Sequence, residues 1–190
     1  MATKISIIIV SWNTAKITLK CVQTIKKYLS TLDPSIIVVD NASTDNTIKL
    51  LSKEHITIIK SPTNLGYATA CNLGANHSKS KYLLFLNSDM EFIDDSLSHM
   101  LKFLSKNPRI GLIGPQFLNP DLSVQASVFP PQSIINAIKE FWFGQPAYSK
   151  YTPTSSLPSS VFAVSGGAVL ISTKFFNKIG GWNNQYFMYY

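Results

Sequence analysis

Short aliphatic runs that do not alternate with polar residues recur along this chain. They are "ISIIIV" (5–10), "SIIVVD" (35–40), "ITIIK" (56–60), "YLLFLN" (82–87), "IGLIG" (110–114) and "GAVLIS" (167–172). A strand with one wet face alternates, whereas a strand covered on both faces does not, so the pattern indicates a parallel sheet between helices. Helix-like stretches separate the first four runs. In "AKITLKCVQTIKKYLS", Ile17, Cys21, Ile25 and Leu29 share one face, with Lys16, Lys20, Lys26 and Lys27 largely outside it. "STDNTIKLLSK" opens on Ser43, Thr44 and Asp45, residues suited to a cap and first turn. "GYATACNLGANHS" is a third helix, weakened by its glycines. "DDSLSHMLKFLSKNP" sets Leu97, Met100, Leu101 and Leu104 on one face and stops at Asn107-Pro108.

Strand and helix in alternation predict an α/β domain with a mostly parallel central sheet and helices on both faces. Right-handed crossovers then bring every strand-to-helix turn to one rim, where ligands of such sheets bind. Three polar stretches fall on that rim: Ser11-Trp12-Asn13, Asp40-Asn41-Ala42-Ser43 and Asn87-Ser88-Asp89. Between 115 and 160 the texture changes, with Pro115, Pro120, Pro130, Pro131, Pro146, Pro153 and Pro158 around one amphipathic piece, "SIINAIKEFWFG". This is read as a loop-rich insertion within a single domain spanning 1–190. Its Phe141-Trp142-Phe143 cluster reads as local core, with a sugar platform or a membrane-facing edge as alternatives.

The net charge of +7, from 17 basic and 10 acidic residues, favours anionic partners such as nucleotides, phosphates or an anionic surface. A single arginine, Arg109, argues against a specific nucleic-acid reader, and no nucleic acid is expected as a partner. No GxGxxG follows the first strand and no Walker A motif occurs, which counts against dinucleotide dehydrogenases and P-loop NTPases. His55, His77 and His99 lack metal-ligand spacing and are expected on the surface. Cys21 and Cys71 read as buried thiols in a reducing compartment. The opening Met1-Ala2-Thr3-Lys4 has no signal-peptide pattern, so the protein is expected in the cytoplasm, with attachment to the inner face of the membrane left open.

The carboxylates on the rim carry the chemistry. Asp40 suits either a ribose hydroxyl or pyrimidine N–H, or a helix cap. Asp89 suits either a solvated turn or magnesium or manganese, which are held by one or two carboxylates plus substrate phosphates. Glu91 shares its side of an extended chain, and Asp94 and Asp95 read as caps. "SGGAV" (165–169) marks either a close backbone approach to a ligand or a tight turn.

Six stretches in order resemble the family-2 glycosyltransferases of the GT-A (Rossmann-like) fold, especially rhamnosyltransferase-like bacterial members. They are "SIIIVSWN" (6–13), "IIVVDNASTD" (36–45), "NLGYATACNLGA" (64–75), "YLLFLNSD" (82–89), "SGGAVLI" (165–171) and "IGGWNNQYFMYY" (179–190). The resemblance implies that Ser11, Trp12 and Asn13 line a nucleotide pocket and that Asp40 recognises base or ribose. It places Asn64, Gly66 and Asn72 in the stretch closing over nucleotide and donor sugar, and Gly166 and Gly167 beside sugar and acceptor. Asn87, Ser88 and Asp89 stand where the family has its DxD-type motif, with Asp89 as the metal ligand and Asn87 in place of the first aspartate.

The implied reaction is an inverting transfer from a UDP- or TDP-sugar to a saccharide or lipid-linked acceptor, assisted by magnesium or manganese and typical of cell-envelope polysaccharide synthesis. In similar proteins a Glu-Asp pair with the general base follows the "FMYY"-like segment. This sequence ends at Tyr190, so the base is expected beyond it and the domain is expected to lack its C-terminal part. The rival expectation is a non-catalytic nucleotide-sugar binder.

Overall fold

The structure is a computed structural model that describes residues 4–153 and 157–187. Residues 188–190, the end of the "FMYY" stretch, and residues 1–3 of the opening lie outside the described residues. The chain divides into two compact units, one of Met1–Ile113 with Gly166–Tyr190 and one of Gly114–Ser165.

In the first unit the order is β1 (Ile5–Ser11), α1 (Ala15–Tyr28), β2 (Ser35–Asp40), α2 (Thr47–Leu51), β3 (Thr57–Lys60), α3 (Tyr67–Asn76), β4 (Tyr82–Asn87), α4 (Ser96–Lys106) and β5 (Leu112–Ile113). The second unit follows with β6 (Phe117–Leu118), β7 (Val124–Gln125), β8 (Val128–Phe129), α5 (Ile134–Phe143) and β9 (Ala163–Val164). The chain then re-enters the first unit with β10 (Ala168–Ser172) and α6 (Thr173–Lys178).

All six aliphatic runs become strands of one sheet, ordered β3-β2-β1-β4-β10-β5. β1 to β4 are parallel, and β10 runs antiparallel to both β4 and β5. β1 and β4 lie at the centre, and Ile7, Ile8, Ile9, Leu83, Leu84 and Phe85 are buried, as non-alternating runs require. One core cluster joins Ile8, Phe85 and Ile171 of the sheet to Cys71 and Ala75 of α3 and Phe176 of α6. The Phe85 ring lies 5.1 Å from both the Phe176 and Trp182 rings. Phe85→Ala would leave a cavity beside two aromatic partners, and a urea titration should show a loss of about 3–5 kcal/mol. A loss under about 1 kcal/mol would mean that this cluster is not the core's anchor.

The glycines of α3 have a local reason. A Cβ on Gly74 would stand 2.6 Å from Ile8 Cγ2 and 3.1 Å from Val39 Cγ2, so glycine lets the helix seat directly on β1 and β2. On α1 the buried face differs from the expected one. Ala15, Thr18, Cys21, Val22 and Ile25 face inward, and Ile17 is 51% exposed. Thr18 takes the inward place because its hydroxyl meets the buried Ser11 hydroxyl at 2.8 Å. Helix α2 also starts later than expected, at Thr47, because Ser43 and Asp45 bond the β1–α1 loop instead of opening the helix. Asp95 caps α4 as expected, accepting from the Ser98 N–H, and Asp94 accepts from the Ser96 N–H.

The second unit holds short two-stranded pairings, β6 with β7 and β8 with β9. Its helix α5 corrects an expectation. Phe141, Trp142 and Phe143 are 71%, 79% and 71% exposed, and no described residue of α5 is buried, so the cluster is not local core. Glu140 near its C-terminus accepts from the backbone N–H groups of Ala147, Tyr148 and Ser149 and from the Ser149 hydroxyl. These bonds, the Ser149 hydroxyl foremost, lower its pKa from 4.5 to about 2. A lowered folded-state pKa gives stabilisation that is complete above the unfolded value and lost as pH falls through the folded one. Amides 147–149 should therefore stay protected at pH 5 and lose protection as pH falls from 4.5 toward 2. Protection that persists unchanged at pH 2 would contradict this.

Candidate nucleotide-binding rim

β1 feeds strands on both sides, β2 and β3 one way and β4 the other, so the strand order reverses between β1 and β4. Ligands of open α/β sheets bind in the crevice outside the carboxyl ends of strands at such a reversal. The register brings three strand ends together there, with Ser11 beside Asp40 and Val10 beside Asn87.

Asp40 ends β2 and is 4% exposed, and its Oδ1 is the one buried side-chain polar atom without a hydrogen-bond partner among the described residues. A buried polar oxygen left unpartnered costs about 1–3 kcal/mol, so such an atom at a ligand rim is an acceptor suited to a donor from a ligand. The next residues build a frame around it. Asn41, 3% exposed, donates from Nδ2 to Asn64 Oδ1 at 2.8 Å and accepts at Oδ1 from the Leu65 N–H at 2.8 Å. Asn64 Oδ1 also accepts from the Gly66 N–H at 2.9 Å. The loop before α3 is thus tied to the end of β2. Ala42 holds φ 66, a left-handed conformation that costs a non-glycine residue about 1–2 kcal/mol.

Asn13 performs the same service on the other side. Its N–H donates to Ser43 Oγ at 2.9 Å, and its Oδ1 accepts from the Thr44 N–H at 2.8 Å. Asp45 accepts from the Ala15 N–H at 3.1 Å and from the Thr47 N–H, and its hydrogen bond from the Thr47 hydroxyl chiefly lowers its pKa. Trp12 stands 50% exposed beside this double loop. Ser11 does not face the rim: its hydroxyl is buried and taken up by Thr18 and Thr14.

The third strand end carries Asn87, whose N–H donates to the Gly167 carbonyl at 2.9 Å, then half-buried Ser88 and exposed Asp89. The Tyr67 hydroxyl donates to the Gly166 carbonyl at 3.4 Å. This bond links the start of α3 to the Gly166 turn, and burial, then Cys71 and the Asp89 charge, holds the Tyr67 phenol well above its ordinary pKa. Burial foremost, then Asp89 and Glu91, pushes the Cys21 thiol up to about 12. Burial likewise pushes Cys71 up to about 12, and both thiols are free and buried as expected. Gly166 is exposed with nothing within 4 Å of a built Cβ, which leaves open space beside the rim.

Glu91 is bound to Lys20 at 2.7 Å. No three His, Cys, Asp or Glu side chains come together to hold a metal among the described residues. The three histidines are exposed, as expected. A lone exposed carboxylate fits a cation that arrives with a diphosphate and takes most of its ligands from phosphate and water. It does not fit a cage made of protein alone.

The sequence profile of Glycosyl transferase family 2 matches residues 6–180. The chain belongs to this family. It is 30% identical over 175 residues to the N-acetylglucosaminyl-diphospho-decaprenol L-rhamnosyltransferase of Mycobacterium tuberculosis, covering 82% of this chain and 57% of that protein. It is 26% identical to the low-salt glycan biosynthesis hexosyltransferase Agl10 of Haloferax volcanii, covering 100% of this chain and 59% of that protein. The chain thus spans somewhat over half the length of these relatives. Among solved structures it resembles the mannosyltransferase PcManGT of Pyrobaculum calidifontis in complex with GDP-Man and Mn2+, with a TM-score of 0.68 and 16% identity over 97% of this chain and 48% of that one. It also resembles S. aureus TarS in complex with UDP-GlcNAc, with a TM-score of 0.64 and 16% identity over 94% of this chain and 48% of that one. These likenesses show the GT-A fold.

Of the polar residues named from the resemblance, Ser11, Asn13, Asn64 and Asn72 have side-chain atoms engaged in bonds within the chain, whereas Asp40 Oδ1 has none. The sequence places Asn41 on the rim without its role as the clamp on the 64–66 loop, and it does not single out Tyr67, the bridge to Gly166. The only sequence signal for Asn41 is its place after a strand-ending aspartate.

Proposed function

We propose that this chain forms the donor-binding part of a glycosyltransferase that takes a UDP- or TDP-sugar. The observation that carries the reading is the buried, unpartnered Asp40 Oδ1 at the carboxyl end of β2. A carboxylate so placed accepts from a ribose hydroxyl or a pyrimidine N–H and selects a nucleoside over a bare phosphate. Trp12 offers a flat apolar wall, and Asn13 and Asn41 hold the two loops on either side of Asp40. Asp89 would hold the magnesium or manganese ion, with Asn87 and Ser88 beside it. Such an ion supplies positive charge against the leaving diphosphate. The open side of Gly166 leaves room for the sugar and its acceptor.

The acceptor we assign is a saccharide or a lipid-linked sugar of the cell envelope, with inversion at the anomeric carbon. The name of the mycobacterial relative supports a lipid-linked sugar and that of the haloarchaeal relative a glycan, while inversion is what the resemblance implies. The work then lies on the cytoplasmic side of the membrane; no helix among the described residues is long and apolar enough to cross it. A saturating UDP- or TDP-sugar with manganese should raise the melting temperature by about 5–10 °C, from roughly 2.7 kcal/mol at a hundredfold excess over Kd. No shift with either donor would remove the reading, and binding with neither transfer nor donor hydrolysis would leave a non-catalytic nucleotide-sugar binder.

A further inference from the structure

Two residues that the resemblance assigns to the donor pocket are occupied by the 181–187 segment. The Asn72 side-chain amide donates to the Trp182 carbonyl at 2.8 Å and to Asn184 Oδ1 at 2.7 Å. Its Oδ1 accepts from the Trp182 N–H at 2.9 Å. Gly181, at φ 80, permits this approach, because a Cβ there would stand 2.9 Å from Asn72 Oδ1. Gly66 meets the far end of the segment. A Cβ on Gly66 would stand 2.5 Å from the Phe187 carbonyl oxygen, and the Tyr67 N–H donates to that same oxygen at 2.8 Å.

The segment is therefore held at three points: the Trp182 ring against Phe85 and Phe176, the Asn72 amide, and the Phe187 carbonyl. The last point is the amide directly after Asn64-Leu65-Gly66, the loop that Asn41 ties to the end of β2. We propose that Asn72 and Gly66 are positioning residues that couple the nucleotide-side loop to the 181–187 segment, and that Asn72 does not touch the donor. A ligand that fixes residues 64–66 then restrains 183–187, and freeing 183–187 loosens the amide of Tyr67. The inference uses the donor-binding reading for the ligand in its test, and its unliganded arm is independent of that reading.

Amide hydrogen exchange on the whole chain tests it, in the parent, Asn72→Ala and Asn72→Asp, with and without UDP and manganese. In the unliganded chain Asn72→Ala should speed exchange at Tyr67 and at 183–187 by about tenfold or more, with β1 and β4 amides unchanged. Asn72→Asp keeps the acceptor for the Trp182 N–H but sets a carboxylate oxygen against the Trp182 carbonyl, so it too should speed exchange at Tyr67 and 183–187. UDP with manganese should slow exchange at 183–187 in the parent and not in Asn72→Ala, while Kd changes by no more than about threefold. Unchanged exchange at Tyr67 in Asn72→Ala would overturn the proposal. So would a tenfold loss of UDP affinity with 183–187 still protected. If the parent binds no UDP, the donor-binding reading fails, and exchange at Tyr67 still decides the coupling.

Discussion

Asp40→Ala is expected to weaken nucleotide binding by about tenfold to a hundredfold and to leave the unliganded chain at least as stable as the parent. The two effects have one source. In the unliganded chain Asp40 Oδ1 is buried without a partner, so the folded state carries a desolvated oxygen that contributes no hydrogen bond. Deleting it relieves roughly 1 kcal/mol, or about 2–4 °C in melting temperature for a chain of this size, offset in part by the small void left behind. When a nucleoside supplies the missing donor, the same oxygen contributes a charge-assisted bond worth about 1.5–3 kcal/mol. A variant that gains stability and loses its ligand has a signature that an ordinary structural carboxylate cannot produce. A variant that unfolds more easily and still binds would assign Asp40 to the scaffold.

Asp89→Ala should act on the cation alone. Nucleotide affinity in manganese is expected to fall by about tenfold or more, while affinity in a chelator stays within about twofold. The reason is the sparse carboxylate supply at this strand end. Asn87 stands where the resemblance places a first aspartate, and Glu91 is engaged with Lys20. Equal affinity of parent and variant at every manganese concentration would sink the assignment of Asp89. A loss of binding in the chelator as well would show that Asp89 shapes the rim instead of holding the ion.

The sheet was legible because β1, β2, β4 and β10 are buried along most of their length and so lose the polar alternation of a strand with one wet face. The same logic located the rim, since chain direction in a parallel sheet decides which strand ends meet. Side-chain commitments were not legible. Asn72 bonds residues 110 and 112 positions away, and Asn41 reaches 23 and 24 positions, distances at which a single sequence carries no periodic signal. Ser11 reads as a rim residue from its place at a strand end, yet Thr18, only seven positions on, takes up its hydroxyl from α1. The aromatic cluster at 141–143 failed in the opposite direction: an apolar run reads as core by composition, yet whether a neighbour covers it depends on packing.

Calorimetric titration of UDP with manganese into the parent chain and Asp40→Ala, side by side, decides whether the Asp40 carboxylate receives the nucleoside. Saturable binding to the parent is expected, with a loss of about tenfold or more in the variant at an unliganded melting temperature no lower than the parent's. Equal affinities in the two proteins, or no binding to the parent, would contradict it.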